Sequence, residues 1–251
     1  MFGLNEFNSA REPRMSAGDG AGQAARLAER VAKGVATREL ILQTALASFR
    51  DRGYDQTTMR AVAQSAGVSL GNAYYYFGSK EELVQEFYAL IQDGHRLRAA
   101  DALRGRGLAE RLRGVLHAGI DEMSPYHEFA GSFIRVAIAP TSASSPFSPE
   151  STAARSAAIG LFREVLAGSD AHPGGPLAKD LPELLWLAYL GITLFWVYDT
   201  SPGQARTRRL VDSSARMIAR TVSLTRLPVL RAAADDLHTL LADLRVSADH
   251  R

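Results

Sequence analysis

Residues 57–80 read TTMRAVAQSAGVSLGNAYYYFGSK, and the way this stretch folds decides how the rest of the chain is arranged. Thr57 fits a helix N-cap, because its hydroxyl can accept a bond from a free N–H of the first turn. Met59, Val62, Ala63 and Ala66 then follow at i, i+3, i+4 and i+7, one apolar helical stripe. Gly67 ends that helix, since glycine takes the left-handed C′ conformation without a Cβ penalty. Val68 is the turn residue that plugs the core. Ser69 caps a second short helix, which turns Ala73 and Phe77 inward and leaves Ser69, Leu70, Gly71, Asn72 and Tyr75 outward. Gly78 stops it. Ser79 starts a third helix, and Glu82 three residues later completes a capping box.

Two short helices joined by a glycine-containing turn form the helix-turn-helix signature. The second helix of such a unit enters the DNA major groove with its N-terminal residues at the base edges. The run from Thr37 to Leu90, and above all AVAQSAGVSLGNAYYYFGSKEEL, resembles the DNA-binding domain of TetR-family transcriptional regulators. The Thr-Thr start, the A-x-x-A-G-V-S turn, the Tyr-Tyr-Tyr-Phe end and the Ser-Lys-Glu-Glu-Leu cap occur together at the family's spacing. The resemblance implies that Thr58 and Arg60 touch phosphate or bases. It places Ser69, Leu70, Gly71 and Asn72 in the groove and Tyr74, Tyr75 and Lys80 on phosphates. Those chemistries suit the roles: Asn can bond adenine bidentately and Leu can meet a thymine methyl. Tyr hydroxyls and a Lys ammonium position the protein on phosphate oxygens without specifying sequence. Met59 departs from the family, standing where some members carry a base-reading polar residue, which shifts base reading toward Arg60 and the second helix of the motif.

The chain has 251 residues, a net charge of +2, 46% hydrophobic residues and no cysteine. That length allows one or two domains, and the composition suits a globular protein with a real core. Absence of cysteine excludes a disulfide framework, thiolate metal ligation and a cysteine nucleophile. A nearly neutral chain is not a general polyanion binder, so nucleic-acid affinity must come from a local patch. There is no basic segment followed by an apolar stretch at the N-terminus, so no secretory signal is read. The longest apolar run is Leu184 to Leu190, or the 15 residues Leu184 to Tyr198 if Gly191 and Thr193 are allowed, which falls short of the roughly 20 residues of a membrane span. The expected compartment is the cytoplasm, with no membrane partner.

Residues 1–36 read as a flexible N-terminal arm. Arg26, Arg30 and Lys33 within it are most simply a solvated tail; the sharper reading is an arm that touches DNA phosphates. Residues 37–93 form the helix-turn-helix domain and a linking helix. Thr37 is expected to cap its first helix, with Leu42, Ala45, Leu46 and Phe49 inward and Gly53 at its end. Leu83, Val84, Phe87, Tyr88, Leu90 and Ile91 lie on two faces of the linking helix, which must therefore contact two bodies. Gly94 to Gly107 reads as a hinge or loop. Residues 94–251 form a larger helical domain whose helices start near Leu108, at Ser124-Pro125, at Ser148-Pro149 and at Asp180-Pro182, as proline at a helix start predicts. Ser201-Pro202-x-Gln204 reads as a capping box before Val211, Ala215, Ile218 and Val222, and a last helix carries Leu230, Leu237, Leu240 and Leu244. The fold class is all-α: an N-terminal three-helix helix-turn-helix domain plus a C-terminal helical bundle for ligand binding and dimerisation.

Phe87, Tyr88, Phe129, Phe133, Phe162, Trp186 and Tyr189, with Phe195 and Trp196, are spread over the second domain. Singly, each more often packs a core than lines a ligand site. As a group they can wall a pocket between helices, where bundles place one. His95, His117, His127, His172, His238 and His250 show no metal spacing, and no nucleophile elbow or phosphate loop occurs. No cofactor and no enzymatic activity are expected. Arg206, Arg208, Arg209, Arg216 and Arg220 read as a solvated face. Helices 181–199 and 202–225 are expected to pair two copies, because the first is apolar nearly all round; Val211 and Ile218 are the suggested contact positions. The expectation is a homodimeric transcriptional regulator, a repressor released from a palindromic DNA operator by a small hydrophobic ligand. The alternative is an all-α small-molecule-binding protein or enzyme with a vestigial helix-turn-helix.

Overall fold

The computed structural model describes residues 17–139, 141–171 and 177–224, with the isolated positions 236 and 239. Among the described residues it is all-α. The helices are α1 (Ala17–Arg52), α2 (Met59–Ser65), α3 (Leu70–Tyr76), α4 (Lys80–Ala99), α5 (Leu108–Met123), α6 (His127–Ala137), α7 (Thr152–Ala167), α8 (Leu177–Val197) and α9 (Ala205–Leu224). One-turn segments at Ala102–Arg104, Ser124–Tyr126 and Pro202–Gln204 join some of them. The final helix expected around Leu230 to Leu244, together with His172, His238 and His250, lies outside the described residues.

Two apolar cores organise the chain. In the first, Ile41, Leu42, Ala45, Leu46 and Phe49 of α1 meet Met59, Val62 and Ala63 of α2, Ala73 and Phe77 beside α3, and Leu83, Val84 and Phe87 of α4. In the second, Leu112, Val115, Leu116 and Ile120 of α5 pack with Leu161, Phe162 and Val165 of α7, Leu185, Trp186, Tyr189 and Trp196 of α8, and Val211 and Ala215 of α9. α4 serves both: Leu83 and Val84 are buried toward α1, while His95 and Ala99 are buried against α5. Acidic Glu81 and Glu82 in its first turn and basic Arg96 and Arg98 in its last complement the helix dipole.

Several local expectations are corrected by the structure. α1 starts at Ala17 and runs unbroken through the region read as a flexible arm. Thr37 is therefore inside the helix, where its hydroxyl donates to the Lys33 carbonyl one turn back. Thr58, not Thr57, caps α2 by accepting from the Ala61 N–H. Thr57 is buried and donates to the Gly53 carbonyl. Gly94 lies inside α4, where the Glu122 carboxylate closes over it and a Cβ would collide. There the missing side chain serves close approach rather than a break. Pro182 sits within α8 rather than at its start. The segment Ala178–Val197 is, by length and composition, long and apolar enough to cross a membrane. The 15-residue count from sequence missed this, because the helix begins before its apolar run; Leu185, Trp186, Tyr189 and Trp196 are buried within the protein.

The expected capping box at Ser201 is replaced by a different device. Gly203 and Gln204 both take positive φ, 60° and 51°, so the chain turns sharply before α9. Asp199 anchors the corner. Its Oδ1 accepts from the Ser201 N–H and hydroxyl at 3.0 and 2.6 Å, and its Oδ2 from the Thr207 N–H and hydroxyl at 2.8 and 2.8 Å. Burial opposes ionisation of this carboxyl, but the Ser201 and Thr207 bonds outweigh it and hold the group well below the usual carboxylate range. A depressed folded value means stability that is complete above the unfolded pKa of about 3.9 and is lost as pH falls toward the folded one. Asp199→Asn turns an NH₂ toward two of these donors. It is expected to cost about 1–2 kcal/mol at pH 7, as lost caps do, with the gap from wild type narrowing below about pH 4. Thermal unfolding between pH 7 and pH 3 measures this; a constant gap would contradict it.

Candidate nucleic-acid interface and cavity

The helix-turn-helix is built as its residues dictate. Gly67 takes φ +68° at the turn, and the Val68 N–H returns to the Ala63 carbonyl at 3.0 Å. Ser69 caps α3 by accepting from the Asn72 N–H at 3.1 Å. Ser79 caps α4 by accepting from the Glu82 N–H, while the Glu82 carboxylate reaches back to the Gly78 N–H at 2.8 Å. These caps hold α3 rigidly against α2 and α4 through buried Ala73 and Phe77.

The outward side of this unit carries most of the predicted contact residues. Thr58, Arg60, Ser69, Gly71, Tyr74 and Tyr75 are exposed and Asn72 half-exposed, with Tyr75 reaching 81% and Tyr74 49%. A Cβ built on Gly71 would meet nothing within 4 Å, so the start of α3 is open to close approach. Leu70 differs from expectation, being half-buried against the first core. Lys80 differs more. Its ammonium lies 4.0 Å over the Tyr54 ring and donates to the Tyr54 carbonyl at 2.8 Å. Tyr54 in turn donates to Glu81 at 2.9 Å, and burial pushes its hydroxyl up to about 12, which keeps it a donor. Lys80 thus ties α4 to the α1–α2 turn instead of standing free. Arg26, Arg30 and Lys33 are exposed on the N-terminal half of α1.

A cavity of about 480 Å³ lies between α4, α6, α7 and α8. Of the predicted ligand residues, Phe87, Tyr88, Phe129, Phe133, Trp186 and Tyr189 line it. Phe162 does not: it is fully buried in the second core behind Tyr189, their rings 5.9 Å apart. Phe195 is on the outer side of α8, 44% exposed. Phe87, Tyr126, Phe129 and Phe133 form one edge-to-face cluster with centroids 4.8–6.2 Å apart, a favourable aromatic arrangement. Trp196, named with the aromatic group, lines the cavity too, as do Met123, Tyr126 and Thr193, which sequence reasoning did not single out as ligand residues. Among the lining residues Arg155 alone is charged, and its guanidinium donates to the Pro146 and Ser148 carbonyls and the Thr152 hydroxyl.

The face of α8 and α9 away from the core leaves apolar side chains in solvent. Phe195, Tyr198, Met217 and Leu224 are 44%, 67%, 63% and 46% exposed. Val211, the suggested partner contact, is completely buried, and Ile218 packs on the same core. His95 Nε2–H donates to the Val115 carbonyl, His127 Nε2–H to that of Trp196, and His117 pairs with Asp212. No group of three metal-capable side chains occurs among the described residues.

A family model described as "Tetracyclin repressor-like, C-terminal domain" matches residues 111–240, and one described as "Bacterial regulatory proteins, tetR family" matches residues 41–87. The chain is similar to the HTH-type transcriptional repressor KstR2 of Mycobacterium tuberculosis, with 35% identity over 88 residues, 35% of this chain and 44% of that protein. It is similar to the HTH-type transcriptional regulator BetI of Agrobacterium fabrum, with 33% identity over 91 residues, 35% of this chain and 44% of that one. The likeness thus spans less than half the length of these relatives. The fold resembles that of a tetR-family transcriptional regulator from Streptomyces coelicolor, with a TM-score of 0.53 at 20% identity, covering 86% of this chain and 98% of that one.

Proposed function

This chain belongs to the TetR family of bacterial regulatory proteins, and from that premise we propose that it is a DNA-binding transcriptional regulator, a homodimer that leaves its operator when an apolar small molecule fills the cavity. The observation that carries the reading is α4. Its first turn is capped against α3 by Ser79 and Glu82, and its middle supplies Phe87, Tyr88, Ile91 and Gln92 to the cavity wall. One rigid helix thus touches both the DNA-reading unit and the ligand space. A ligand that displaces α4 re-spaces the two recognition helices of a dimer, and a coupling of about 1–3 kcal/mol suffices to release DNA. Such work belongs in the cytoplasm.

Selection of bound duplexes from random DNA tests the reading. The expected product is a two-fold symmetric site with half-sites about one helical turn or more apart. On that site Asn72→Ala is expected to relax preference at one base pair, costing about 1–3 kcal/mol against the selected base. Mobility shifts on matched and altered sites measure it. Lys80 offers a sharper test. If it leaves Tyr54 to meet a phosphate, Lys80→Ala flattens the salt slope by about one unit; if it stays, the slope is unchanged and only thermal stability falls. Equal binding of selected and scrambled DNA at physiological salt would favour an apolar-ligand carrier with a vestigial helix-turn-helix.

A further inference from the structure

The cavity wall is apolar except for a few groups, and several of those are already bonded within the chain. Tyr88 donates to the Ser144 carbonyl at 2.6 Å, Ser151 bonds Gln85 and Ser148, and Arg155 is tied to two carbonyls and a hydroxyl. Three of the remaining groups lie on one face of α8 at i, i+4 and i+7. The Trp196 Nε1–H and the Thr193 hydroxyl are buried with no hydrogen-bond partner. Tyr189 has the Met123 sulfur at 3.9 Å and the Thr193 hydroxyl beside it, and burial outweighs that neighbour and pushes its hydroxyl up, so it remains protonated. A buried donor left unpaired costs about 1–3 kcal/mol, and two neighbouring ones on a cavity wall are a liability unless a ligand meets them. Residues three apart on a helix have Cβ atoms roughly 5–6 Å apart, so both donors can reach one acceptor. Trp can only donate, and a carbonyl oxygen has two lone pairs to receive such bonds.

We infer that this cavity selects uncharged, largely apolar molecules bearing a carbonyl oxygen, which accepts from the Trp196 Nε1–H and the Thr193 hydroxyl together. The inference rests on reading the cavity as the ligand site, and it adds which chemistry fills it. An anionic ligand would find the one lining cation, Arg155, already bonded, and a pure hydrocarbon would leave both donors unpaired.

Benzophenone and 1,1-diphenylethylene test this, since they share a shape and differ by a carbonyl in place of a methylidene. Wild-type protein is expected to bind the ketone about tenfold more tightly than the olefin, with the infrared carbonyl stretch of bound ketone at hydrogen-bonded frequency. Trp196→Phe keeps a ring and removes the N–H; Thr193→Val is close to isosteric and serves if the first variant fails to fold. Each is expected to weaken ketone binding, leave olefin binding unchanged, and move the carbonyl stretch to higher frequency. Equal binding of the two probes by wild type, or equal loss of both in the variants, overturns the inference and leaves the cavity a ligand site. Binding of neither probe overturns the inference and counts against the cavity reading beneath it.

Discussion

A chain carrying Phe195→Asp and Met217→Glu is expected to sediment as a monomer at micromolar concentration and to bind a two-fold operator roughly 10²–10⁴-fold more weakly. Both side chains are exposed on the chain itself, so the substitutions disturb neither core. Tyr198, just after α8, and Leu224, at the end of α9, are exposed apolar groups too, and exposed apolar surface of this kind marks an interaction site. Each copy carries one recognition helix, and pairing makes the second half-site contact intramolecular. Losing it removes the gain of effective concentration rather than any single protein–DNA bond. The paired state should bury about 2,000 Å² or more in total. Analytical ultracentrifugation and mobility shifts on one preparation read both effects. A wild-type monomer, or a double variant that still dimerises on DNA with full affinity, would refute the assignment of this face.

The largest loss of stability is expected at Arg111. Its guanidinium is buried, and among the described residues its bonds go to main-chain carbonyls. Nε donates to Val165 at 2.9 Å, one terminal nitrogen to Glu164 at 2.6 Å, and the other to Leu103 and to Gly105 at 2.9 Å. Glu164 and Val165 lie in the last turn of α7, where the Glu164 carbonyl also accepts from the Gly168 N–H, so one side chain bonds a helix end and the loop before α5 at once. Gly168 lies over the guanidinium so closely that a Cβ there would strike it. Arg111→Met takes this donor from the Val165, Leu103 and Gly105 carbonyls and is expected to cost about 3–5 kcal/mol in sum, at about 1–3 kcal/mol for each group left unsatisfied. Arg111→Lys should recover little, since an ammonium lacks the planar fork. Denaturant unfolding of the second domain measures this; a loss under about 1 kcal/mol would show that the carbonyls find other donors.

Residues 57–80 were legible because their signals are local. Gly53 and Gly67 take the positive φ expected of them, and Ser69 and Ser79 cap the helices they begin. Apolar stripes gave the core faces of α1, α2 and α3 for the same reason: helical period and burial agree there. What sequence hid was decided at a distance. Two adjacent threonines can each cap α2, and only the buried bond from Thr57 to Gly53 leaves the cap to Thr58. α5 starts at Leu108 without a capping side chain of its own, because Asp170, far along the chain, accepts from the Leu108 N–H. Arg111 and Asp199 look like ordinary surface charges until the chain folds over them. Lys80 has the right residue type for a phosphate contact but turns onto Tyr54. In the cavity, aromatic composition pointed to the wall, yet Phe162 turns into the core and Phe195 outward, because position around a helix, not residue type, decides which aromatic faces the space.

Both tryptophans of the chain, Trp186 and Trp196, stand on the cavity wall, and the DNA-reading unit has none. The molecule therefore contains its own optical reporter. Ultraviolet emission excited at the indole band comes from the cavity alone and responds to whatever enters it through quenching or a change of local polarity. Titrating DNA into the unlabelled protein interrogates the same two indoles from the far side of α4. An emission change on adding operator would be a direct, label-free record of the two sites communicating.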